Sequence, residues 1–524
     1  MSKSGNRQKS ESGVRAPYPV VDLFAGPGGL GEGFCSMICP SNNDRYAFRT
    51  AISIENEKYA YATLRLRHFY REFPPGSVPD EYYDYLADGI SLGDLYGRYP
   101  EKSLAADNST WKCTLGEEPR GNVKKRISFS LSGTDKWVLL GGPPCQAYSL
   151  VGRSKMKGRS DFETDDRHFL YRSYLRIIAD HKPPVFVMEN VKGLISAKVG
   201  GKRLINDIRE ALAAPRKRSR GKNSGVRYKL YSLSEPGLKG TDADPSSFLV
   251  RAEEYGIPQA RHRIFILGVR EDIKVEPSVL RKSGAIATVK QTIGDLPTLR
   301  SGLSRAEDSH EAWKKRLEDL LKQPWFIRGY ANGLAELTEE AEKILLSANI
   351  LSGMERSSRK YSLLSGKNRF YDPRLKTLLS HESRSHMDSD IQRYFFAALY
   401  SRVNGTSPKL SDFPDRLLPA HGNVRQGQRG QMFSDRFRVQ LPARPSRTIT
   451  SHISKDGHAF IHYDPSQSRS LTVREAARLQ TFPDNYKFQG PRTAQYSQVG
   501  NAVPPLLAEK IAEVVYEILE GMKQ

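Results

Sequence analysis

The chain has 524 residues, which exceeds one ordinary hydrophobic core, so we expect two domains with insertions. Its 81 Lys and Arg against 59 Asp and Glu give a formal net charge of +22, which favours a polyanionic partner, most simply nucleic acid. No apolar run approaches the roughly 20 residues that span a bilayer, and residues 1–19 lack the apolar stretch of a signal peptide, so we expect a soluble protein. Four cysteines without a CxxC pair or zinc spacing predict a reducing, cytoplasmic setting.

The first ordered stretch is a short apolar strand that runs into a glycine-rich turn and a helix, at residues 19–34 (PVVDLFAGPGGLGEGF). This arrangement predicts the entry to a doubly wound nucleotide-binding sheet, because glycines let the backbone approach a ligand closely. Gly26, Gly28, Gly29 and Gly31 crowd behind Asp22 and depart from the GxGxxG spacing. The pattern therefore favours a turn that binds an adenosyl ligand over a turn that binds a pyrophosphate group.

A second strand, at residues 48–56 (FRTAISIEN), ends in an acid, Glu55. One βα unit after the glycine turn, a carboxylate at a strand end can accept hydrogen bonds from both ribose hydroxyls. The alternative is a solvated loop acid. The residues that follow, 71–136, are longer than one βα connection needs, so we expect an insertion ahead of the central strand.

The central strand breaks into a rigid turn at residues 137–149 (WVLLGGPPCQAYS), and the turn presents Cys145. A thiol at such a strand end can lie near the amide-rich start of a helix, which lowers its pKa and suits a nucleophile. The alternative is a small buried hydrophobic residue. Residues 151–167 are basic and rich in Gly and Ser, which indicates either a loop that closes over a phosphate-bearing substrate or a solvated loop.

Another buried strand, at residues 183–194 (PPVFVMENVKGL), ends in Glu189, and residues 256–263 (GIPQARHR) lead into a further apolar strand. In extended backbone Gln259, Arg261 and Arg263 share one face, so two guanidiniums and an amide can converge on one small ligand.

The carboxyl ends of parallel strands meet at one edge of a sheet, which is where such folds bind ligands. We therefore expect Asp22, Glu55, Cys145 and Glu189 to open on the same edge.

The region at about residues 300–440 is charged, with amphipathic helical stretches at 306–321 and 334–349 and a basic loop at 421–430 (HGNVRQGQRG). We assign most of it to a second, smaller domain. Exposed Arg, Gln and Asn side chains can read base edges and phosphates, although most such runs are solvated surface.

The C-terminal part returns to order, with strands expected at residues 444–450 and 459–463 and a final amphipathic helix at 506–519. Thr472 and Glu475 have the spacing of a capping box that opens a helix. His452, His458 and His462 have no acid or cysteine at ligand spacing, so we expect no metal.

Taken in order, these motifs resemble the cytosine-C5 DNA methyltransferase family. The similar stretches are its cofactor motif at residues 22–29 (DLFAGPGG), catalytic motif at 142–146 (GPPCQ), acid motif at 189–191 (ENV), QxRxR element at 259–263 (QARHR), the helix that props the recognition domain at 469–480 (RSLTVREAARLQ) and the last motif at 500–503 (GNAV). Six motifs in family order argue against chance. They cover residues 19–270 and 440–520, and the region between them has no comparable signature.

The resemblance implies an α/β fold with a doubly wound, mostly parallel, Rossmann-like sheet of the S-adenosylmethionine-dependent methyltransferase type and a second, smaller target-recognition domain. We expect a disordered basic tail at residues 1–18, a catalytic and cofactor-binding domain at 19–298 with the insertion at 71–136, the recognition domain at 299–443, and a C-terminal segment at 444–524 that packs back on the catalytic domain.

The chemistry implied by the resemblance begins with attack of the Cys145 thiolate on C6 of cytosine, which makes C5 nucleophilic. Glu189 would hold N3 and the exocyclic amine, and Arg263, with Arg261 behind it, would fix O2. S-adenosylmethionine would donate the methyl group and leave as S-adenosylhomocysteine. The target base must be flipped out, because C6 is unreachable inside a duplex.

Further site residues follow from the same resemblance. Cofactor contacts are implied for Asp22, Phe24 (stacked on the adenine), Ala25, Gly26, Gly28, Gly29, Leu30, Glu55 (holding the ribose), Asn56, Pro143, Asn501, Ala502 and Val503. Asp94 is our choice for the acid that reads the adenine amine, with Asp88 as the alternative. Substrate contacts are implied for Pro144, Gln146, Ser149, Arg153, Asn190 and Gln259.

Double-stranded DNA is the expected partner of a stand-alone, monomeric enzyme, and a cognate restriction endonuclease acting separately is a hypothesis. Three rival functions stay open at this point. They are methylation of cytosine in RNA by the same site, sequence-specific DNA binding without catalysis, and a nucleotide-dependent oxidoreductase, which the missing GxGxxG disfavours.

Overall fold

The computed structural model describes residues 16–144, 170–199, 202–215, 225–237, 240, 243–323, 326, 335–361, 369–419, 424 and 434–522. Within these residues the strands are β1 Tyr18–Leu23, β2 Ile38–Cys39, β3 Asn42–Tyr46, β4 Phe48–Glu55, β5 Thr110–Lys112, β6 Val138–Gly141, β7 Val185–Val191, β8 Lys198–Val199, β9 Lys202–Arg203, β10 Tyr228–Tyr231, β11 Leu249–Arg251, β12 Gln259–Ala260, β13 His262–Arg270, β14 Gly302–Leu303, β15 Ser385–His386 and β16 Ser446–Arg447.

The α-helices of the same residues are α1 Gly29–Ser36, α2 Lys58–Arg71, α3 Asp80–Leu86, α4 Leu92–Arg98, α5 Pro100–Ser109, α6 Arg120–Leu131, α7 Leu170–His181, α8 Leu204–Ala213, α9 Val289–Ile293, α10 His310–Leu321, α11 Ala335–Leu345, α12 Ala348–Leu351, α13 Asp388–Asn404, α14 Val473–Leu479, α15 Arg492–Asn501 and α16 Pro505–Gly521. Of these helices, none is long and apolar enough to cross a membrane.

The central sheet has the strand order β10-β13-β7-β6-β1-β4-β5, with β11 beside β13. The strands β7, β6, β1, β4 and β5 are parallel, and β13 joins β7 antiparallel. The parallel strands read as continuous apolar runs because both faces of the sheet are covered by helices. The predicted doubly wound, mostly parallel α/β fold is confirmed.

Alternate residues of each strand enter different apolar cores on the two faces. Val20 packs with the residues of α1 and α16, whereas Val21 packs with those of α6, α7 and α8. The final helix, predicted at 506–519, thus packs back on the sheet as α16.

The segment 71–136, expected to be an insertion, is only partly one. Residues 80–109 form α3, α4 and α5, but Thr110–Lys112 then pairs parallel with β4 and extends the central sheet. Three residues are too few for a hydrophobic period to show, so this strand could not be predicted from the residue pattern.

A separate apolar core unites α10, α11 and α13 with residues such as Leu303, Val439 and Ile461. It falls largely within the region assigned to target recognition, and the domain boundaries themselves stay a prediction. Of the two strands expected near the C-terminus, residues 444–450 contain only β16, and Ile461 forms isolated bridges to Val439 and Ser470.

Candidate active site

Four parallel strands end side by side at one edge of the sheet, and the predicted site residues follow them. Strand β1 leads into the glycine turn, β4 ends at Glu55, β6 leads into Gly142, and Glu189 lies near the end of β7. Carboxyl edges of parallel sheets are where such folds hold ligands. This edge is therefore the candidate active site.

The glycine turn holds an aromatic residue in an unfavourable conformation. Phe24 has φ 57°, and Gly26 and Gly28 have φ 59° and 93°. A left-handed backbone costs a non-glycine residue about 1–3 kcal/mol, which the surrounding structure must offset. A Cβ built on Gly26 meets no heavy atom of the described residues within 4 Å. The turn thus borders open space beside a partly buried ring.

Glu55 is fixed at the mouth of this turn by three backbone N–H donors. Gly26 N donates to Oε2 at 2.8 Å, and the N–H groups of Asn56 and Glu57 donate to Oε1 at 2.9 and 2.8 Å. Glu55 is buried, with 9% of the residue exposed, and the three donors hold its carboxylate in one orientation. The contact with a ribose stays a prediction.

Asp22 lies beneath the turn and not in it. Its carboxylate is buried, and a Cβ built on Gly31 would meet Oδ2 at 2.8 Å. Burial raises the pKa of Asp22 to about 7; the Gly31 backbone N–H opposes this rise and the nearby Glu55 adds to it. Asp22 therefore supports the start of α1 from below.

The predicted cofactor motifs at the two ends of the chain meet at Gly29. A Cβ there would lie 2.2 Å from the Val503 carbonyl oxygen and 3.1 Å from the Ala502 Cβ, so only glycine allows this approach. Ala502 and Val503 are buried, and Asn501 is exposed at the end of α15.

The turn after β6 is held by the acid motif. Asn190 Nδ2 donates to the Pro143 carbonyl oxygen at 3.3 Å, and Asn190 Oδ1 accepts from the Val191 N–H at 2.8 Å. Asn190 is 3% exposed and holds this turn, and its predicted contact with substrate stays a prediction. A Cβ on Gly142 would meet Glu189 Oε2 at 2.9 Å, so glycine makes room for the carboxylate.

Glu189 and Arg263 form an ion pair across β7 and β13. Arg263 Nε lies 3.0 Å from Glu189 Oε1, and the two side chains are 15% and 13% exposed. Arg263 also donates to the His262 carbonyl oxygen at 2.9 Å. Burial lowers the pKa of Arg263, while the Glu189 carboxylate opposes this. The pair is thus a preorganised acceptor and donor set next to the turn that leads to Cys145.

Arg261 is buried behind Arg263 and donates to the carbonyl oxygens of Ile449 and Gly500 at 2.8 and 3.3 Å. Burial, together with the like charge of Arg263, lowers the pKa of Arg261 well below its ordinary value. Two carbonyl partners fix the guanidinium without neutralising it. Arg261 therefore adds positive potential behind Arg263.

Gln259 is fully buried, donates to the Leu479 carbonyl oxygen and to Gln480 Oε1 at 3.1 and 2.8 Å, and accepts from the Ile449 N–H at 2.9 Å. The expectation that Gln259 and Arg261 converge with Arg263 on one ligand is wrong. Both residues instead fasten this strand to the C-terminal segment.

The two candidates for the adenine-reading acid lie elsewhere. Asp94 is exposed and forms a capping box with Ser91 at the start of α4. Asp88 pairs with Arg359 and Lys487 at 2.8 and 3.1 Å. Neither acid follows a strand of the sheet, and both side chains already have partners of their own, so the assignment of Asp94, with Asp88 as the alternative, stays a prediction without support from this geometry. The strand beside β4 is β5, and Cys113 follows it.

Four predicted site residues, Cys145, Gln146, Ser149 and Arg153, lie outside the described residues. Pro144, the last residue before them, is partly buried at the edge.

Two residues that the sequence reasoning did not single out hold the site together. Gln480 Nε2 donates to the carbonyl oxygens of Val499 and Ala502 at 2.7 and 3.0 Å, and the Tyr486 hydroxyl donates to the Pro27 carbonyl oxygen of the glycine turn. Both side chains are buried. Gln480 lies between Leu479 and Thr481, and because the partners of its Nε2 are backbone carbonyls, no pattern in the neighbouring residues indicates its role.

Among the described side chains, no group of three or more His, Cys, Asp or Glu is placed to hold a metal ion.

The chain is similar to known proteins along most of its length. The family model described as C-5 cytosine-specific DNA methylase matches residues 108–214 and 244–517. The type II methyltransferase M.Bpa9945I of Bacillus paralicheniformis is 31% identical, over 96% of this chain and 99% of that protein. M.DdeI of Desulfomicrobium norvegicum is 26% identical, over 96% and 89%.

Among solved structures, a DNA modification methyltransferase encoded within an E. coli prophage superposes with a TM-score of 0.51 at 19% identity, over 96% of this chain and 99% of that one, which supports the fold. The family model covers more than half of the chain, and the family resemblance of the motifs is confirmed. The chain belongs to the C-5 cytosine-specific DNA methylase family and is an enzyme of the DNA (cytosine-5-)-methyltransferase class.

Proposed function

We propose that the protein transfers a methyl group from S-adenosylmethionine to C5 of a flipped-out cytosine in a specific duplex DNA sequence, through a covalent bond between Cys145 and C6. The observation that carries the proposal is the Glu189–Arg263 pair, 3.0 Å apart, beside the turn that leads directly to Cys145. Membership of the family supports DNA as the substrate.

The residues of the pair suit the two polar edges of cytosine. A carboxylate accepts from the exocyclic amine and can share a proton with N3, and a guanidinium donates to O2. Because Glu189 and Arg263 already hold each other, they meet the base in a fixed orientation, and little reorganisation is needed when charge develops on the ring. Arg261 contributes its charge from behind Arg263.

The covalent step begins when Cys145 attacks C6, which leaves the negative charge delocalised over N3 and O2, next to Glu189 and Arg263. After C5 has taken the methyl group, loss of the C5 proton and of the Cys145 thiolate restores the aromatic ring. The base must leave the duplex for this, since its C6 is otherwise covered by stacked neighbours.

The glycine turn fits the adenosyl part of the cofactor. Open space lies beside Gly26, the partly buried Phe24 ring borders it, and the rigid Glu55 carboxylate stands at its mouth. Flat rings stack on aromatic side chains, and carboxylates accept from vicinal hydroxyls. Phe24, Glu55 and the backbone of residues 25–29 would hold the cofactor, whose sulfonium supplies an electrophilic methyl group.

The proposed DNA binding and biological role are supported by the net charge of the chain and by the names of similar proteins. The net charge of +22 suits phosphate contacts, and residues 299–443 would read the target sequence. Two of the similar proteins are named type II methyltransferases, so we propose a role in restriction-modification or host defence. A cytoplasmic monomer, with a cognate endonuclease acting separately, completes this proposal.

The experiment is transfer of tritiated methyl from S-adenosylmethionine to mixed-sequence duplex DNA and, separately, to total RNA. We expect wild type to label DNA, Cys145→Ala to label nothing, and Cys113→Ala to behave as wild type, because Cys113 is buried and burial raises its pKa to about 11. Sequencing of the labelled DNA would give the target. Labelling of RNA alone would overturn the DNA substrate, and a fully active Cys145→Ala protein would overturn the covalent step.

A further inference from the structure

The helical insertion of the catalytic domain packs against part of the region assigned to target recognition. Tyr82, Tyr83 and Leu86 of α3 are buried in one apolar core with Leu375 and Leu378. These two leucines belong to the segment 369–387, which leads directly into α13. The insertion is therefore a partner of the recognition region and not a free surface excursion.

Asp372 is the polar centre of this contact. One carboxylate oxygen accepts from the Tyr83 hydroxyl at 2.9 Å and from Asn485 Nδ2 at 2.6 Å, and the Asp372 N–H donates to the Tyr361 hydroxyl at 2.7 Å. Asn485 Oδ1 in turn accepts from Arg67 of α2 at 3.0 Å. One side chain thus joins the insertion, the C-terminal segment and the recognition region, and through Asn485 it reaches the helix next to the glycine turn.

Three ion pairs surround this centre at the surface. They are Arg374–Asp80 and Lys376–Asp84, both at 2.7 Å, and Arg359–Asp88 at 2.8 Å. Exposed pairs contribute little stability one by one. All three carboxylates come from residues 80–88 and all three cations from residues 359–376, so together they fix the register of the two surfaces.

We propose that the insertion, residues 80–109, is a brace that sets the orientation of the recognition region relative to the sheet edge, with Asp372 as its positioning residue. This inference rests on the proposed function of residues 299–443. The brace touches neither Glu189 nor Glu55. Its loss therefore weakens DNA binding and target choice, leaves the chemical step unchanged, and changes the cofactor affinity less than the DNA affinity, because the brace reaches the glycine turn only through Asn485 and Arg67.

The test uses Tyr83→Phe and Asp372→Asn, with Tyr99→Phe as the matched control. Tyr99 donates to Glu81 at 2.9 Å entirely within the insertion. A lost hydrogen bond to a carboxylate corresponds to about a tenfold change in an equilibrium, so we expect KM for DNA to rise by about tenfold in both test variants. We also expect more methylation at near-cognate sites, with kcat at saturating DNA unchanged and the Kd of S-adenosylmethionine changed less than KM for DNA.

Hydrogen exchange without DNA separates this inference from the proposed function. Tyr83→Phe should speed exchange in residues 369–404 and leave the central sheet unchanged, whether or not wild type methylates DNA. The brace is overturned if exchange, KM for DNA and the site pattern all stay as in wild type. It is also overturned if kcat and cofactor affinity fall as much as DNA affinity, because that is general loss of structure. If Asp372→Asn does not fold, Tyr83→Phe decides alone.

Discussion

Arg263 and Glu189 lie on the adjoining antiparallel strands β13 and β7. Arg263 Nε is 3.0 Å from Glu189 Oε1, and both side chains are largely buried. The strand register pairs Arg263 with Val191 and Phe265 with Glu189, so the two functional side chains come from positions two residues apart along the ladder. Such diagonal neighbours are within reach of a long side chain such as arginine. The register of two ordinary strands therefore builds the polar half of the site.

The first prediction concerns the charge of Glu189. Glu189→Gln keeps the shape of the side chain but removes the carboxyl group that can exchange a proton. We therefore expect kcat to fall by about 10²–10⁴-fold, the usual contribution of a general acid or base. Steady-state methyl transfer to DNA measures this. Glu253→Gln is the control, because Glu253 lies between β11 and β12 and pairs with His262 of β13 at 2.7 Å, and its loss should leave kcat unchanged. A fully active Glu189→Gln protein would contradict the role assigned to this carboxylate.

The second prediction concerns Gly29. Gly29→Ala would place a methyl group 2.2 Å from the Val503 carbonyl oxygen, and we expect the free energy of unfolding to fall by about 1–3 kcal/mol. Urea denaturation measures the change. Gly97→Ala is the control, since a Cβ built there in α4 meets none of the described atoms within 4 Å, and it should raise the free energy of unfolding by about 0.5–1 kcal/mol. Equal effects of the two changes would contradict the packing argument.

Local patterns were enough to predict the elements that position the site. The apolar run that ends at Glu55 forms β4, and Thr472 and Glu475 form the predicted capping box of α14. Both depend on residues a few positions apart, so a single stretch of sequence contains the whole signal.

Long-range partners were not predictable in this way. Arg261 looked like a ligand-facing cation, but its partners are the backbone carbonyls of Ile449 and Gly500, about 190 and 240 positions away in the chain. Backbone acceptors carry no sequence signature. For the same reason Asp94 looked like a cofactor acid, although Ser91 already uses it as a helix cap.

The third prediction concerns the pH dependence that Asp22 causes. Burial raises its pKa from 3.8 to about 7, so between these values the unfolded chain loses the proton while the folded protein keeps it. Folding therefore loses stability as pH rises from about 4 to about 7, by up to about 4 kcal/mol at 1.36 kcal/mol per unit. Asp22→Asn cannot ionise and should lack this component. Urea denaturation at pH 4 and pH 8 measures the difference between the two proteins, and a constant difference would contradict the raised pKa.

The last prediction concerns the buried arginine of α14. Arg478 Nη2 lies 2.7 Å from Asp484 Oδ2, and Nη1 lies 2.6 Å from Asp295 Oδ1. The Arg478 and Asp484 side chains are fully buried. Arg478→Ala leaves the Asp484 carboxylate with Arg474 at 3.9 Å as the nearest cation, so we expect a loss of about 3–5 kcal/mol in the free energy of unfolding. Arg251→Ala is the control, because its pair with Glu254 is exposed and should contribute less than about 1 kcal/mol. Because α14 packs against both α9 and α15, the Arg478→Ala protein should unfold on heating in one transition with a lower Tm. Two separate thermal transitions would instead show that the C-terminal segment unfolds independently of the sheet.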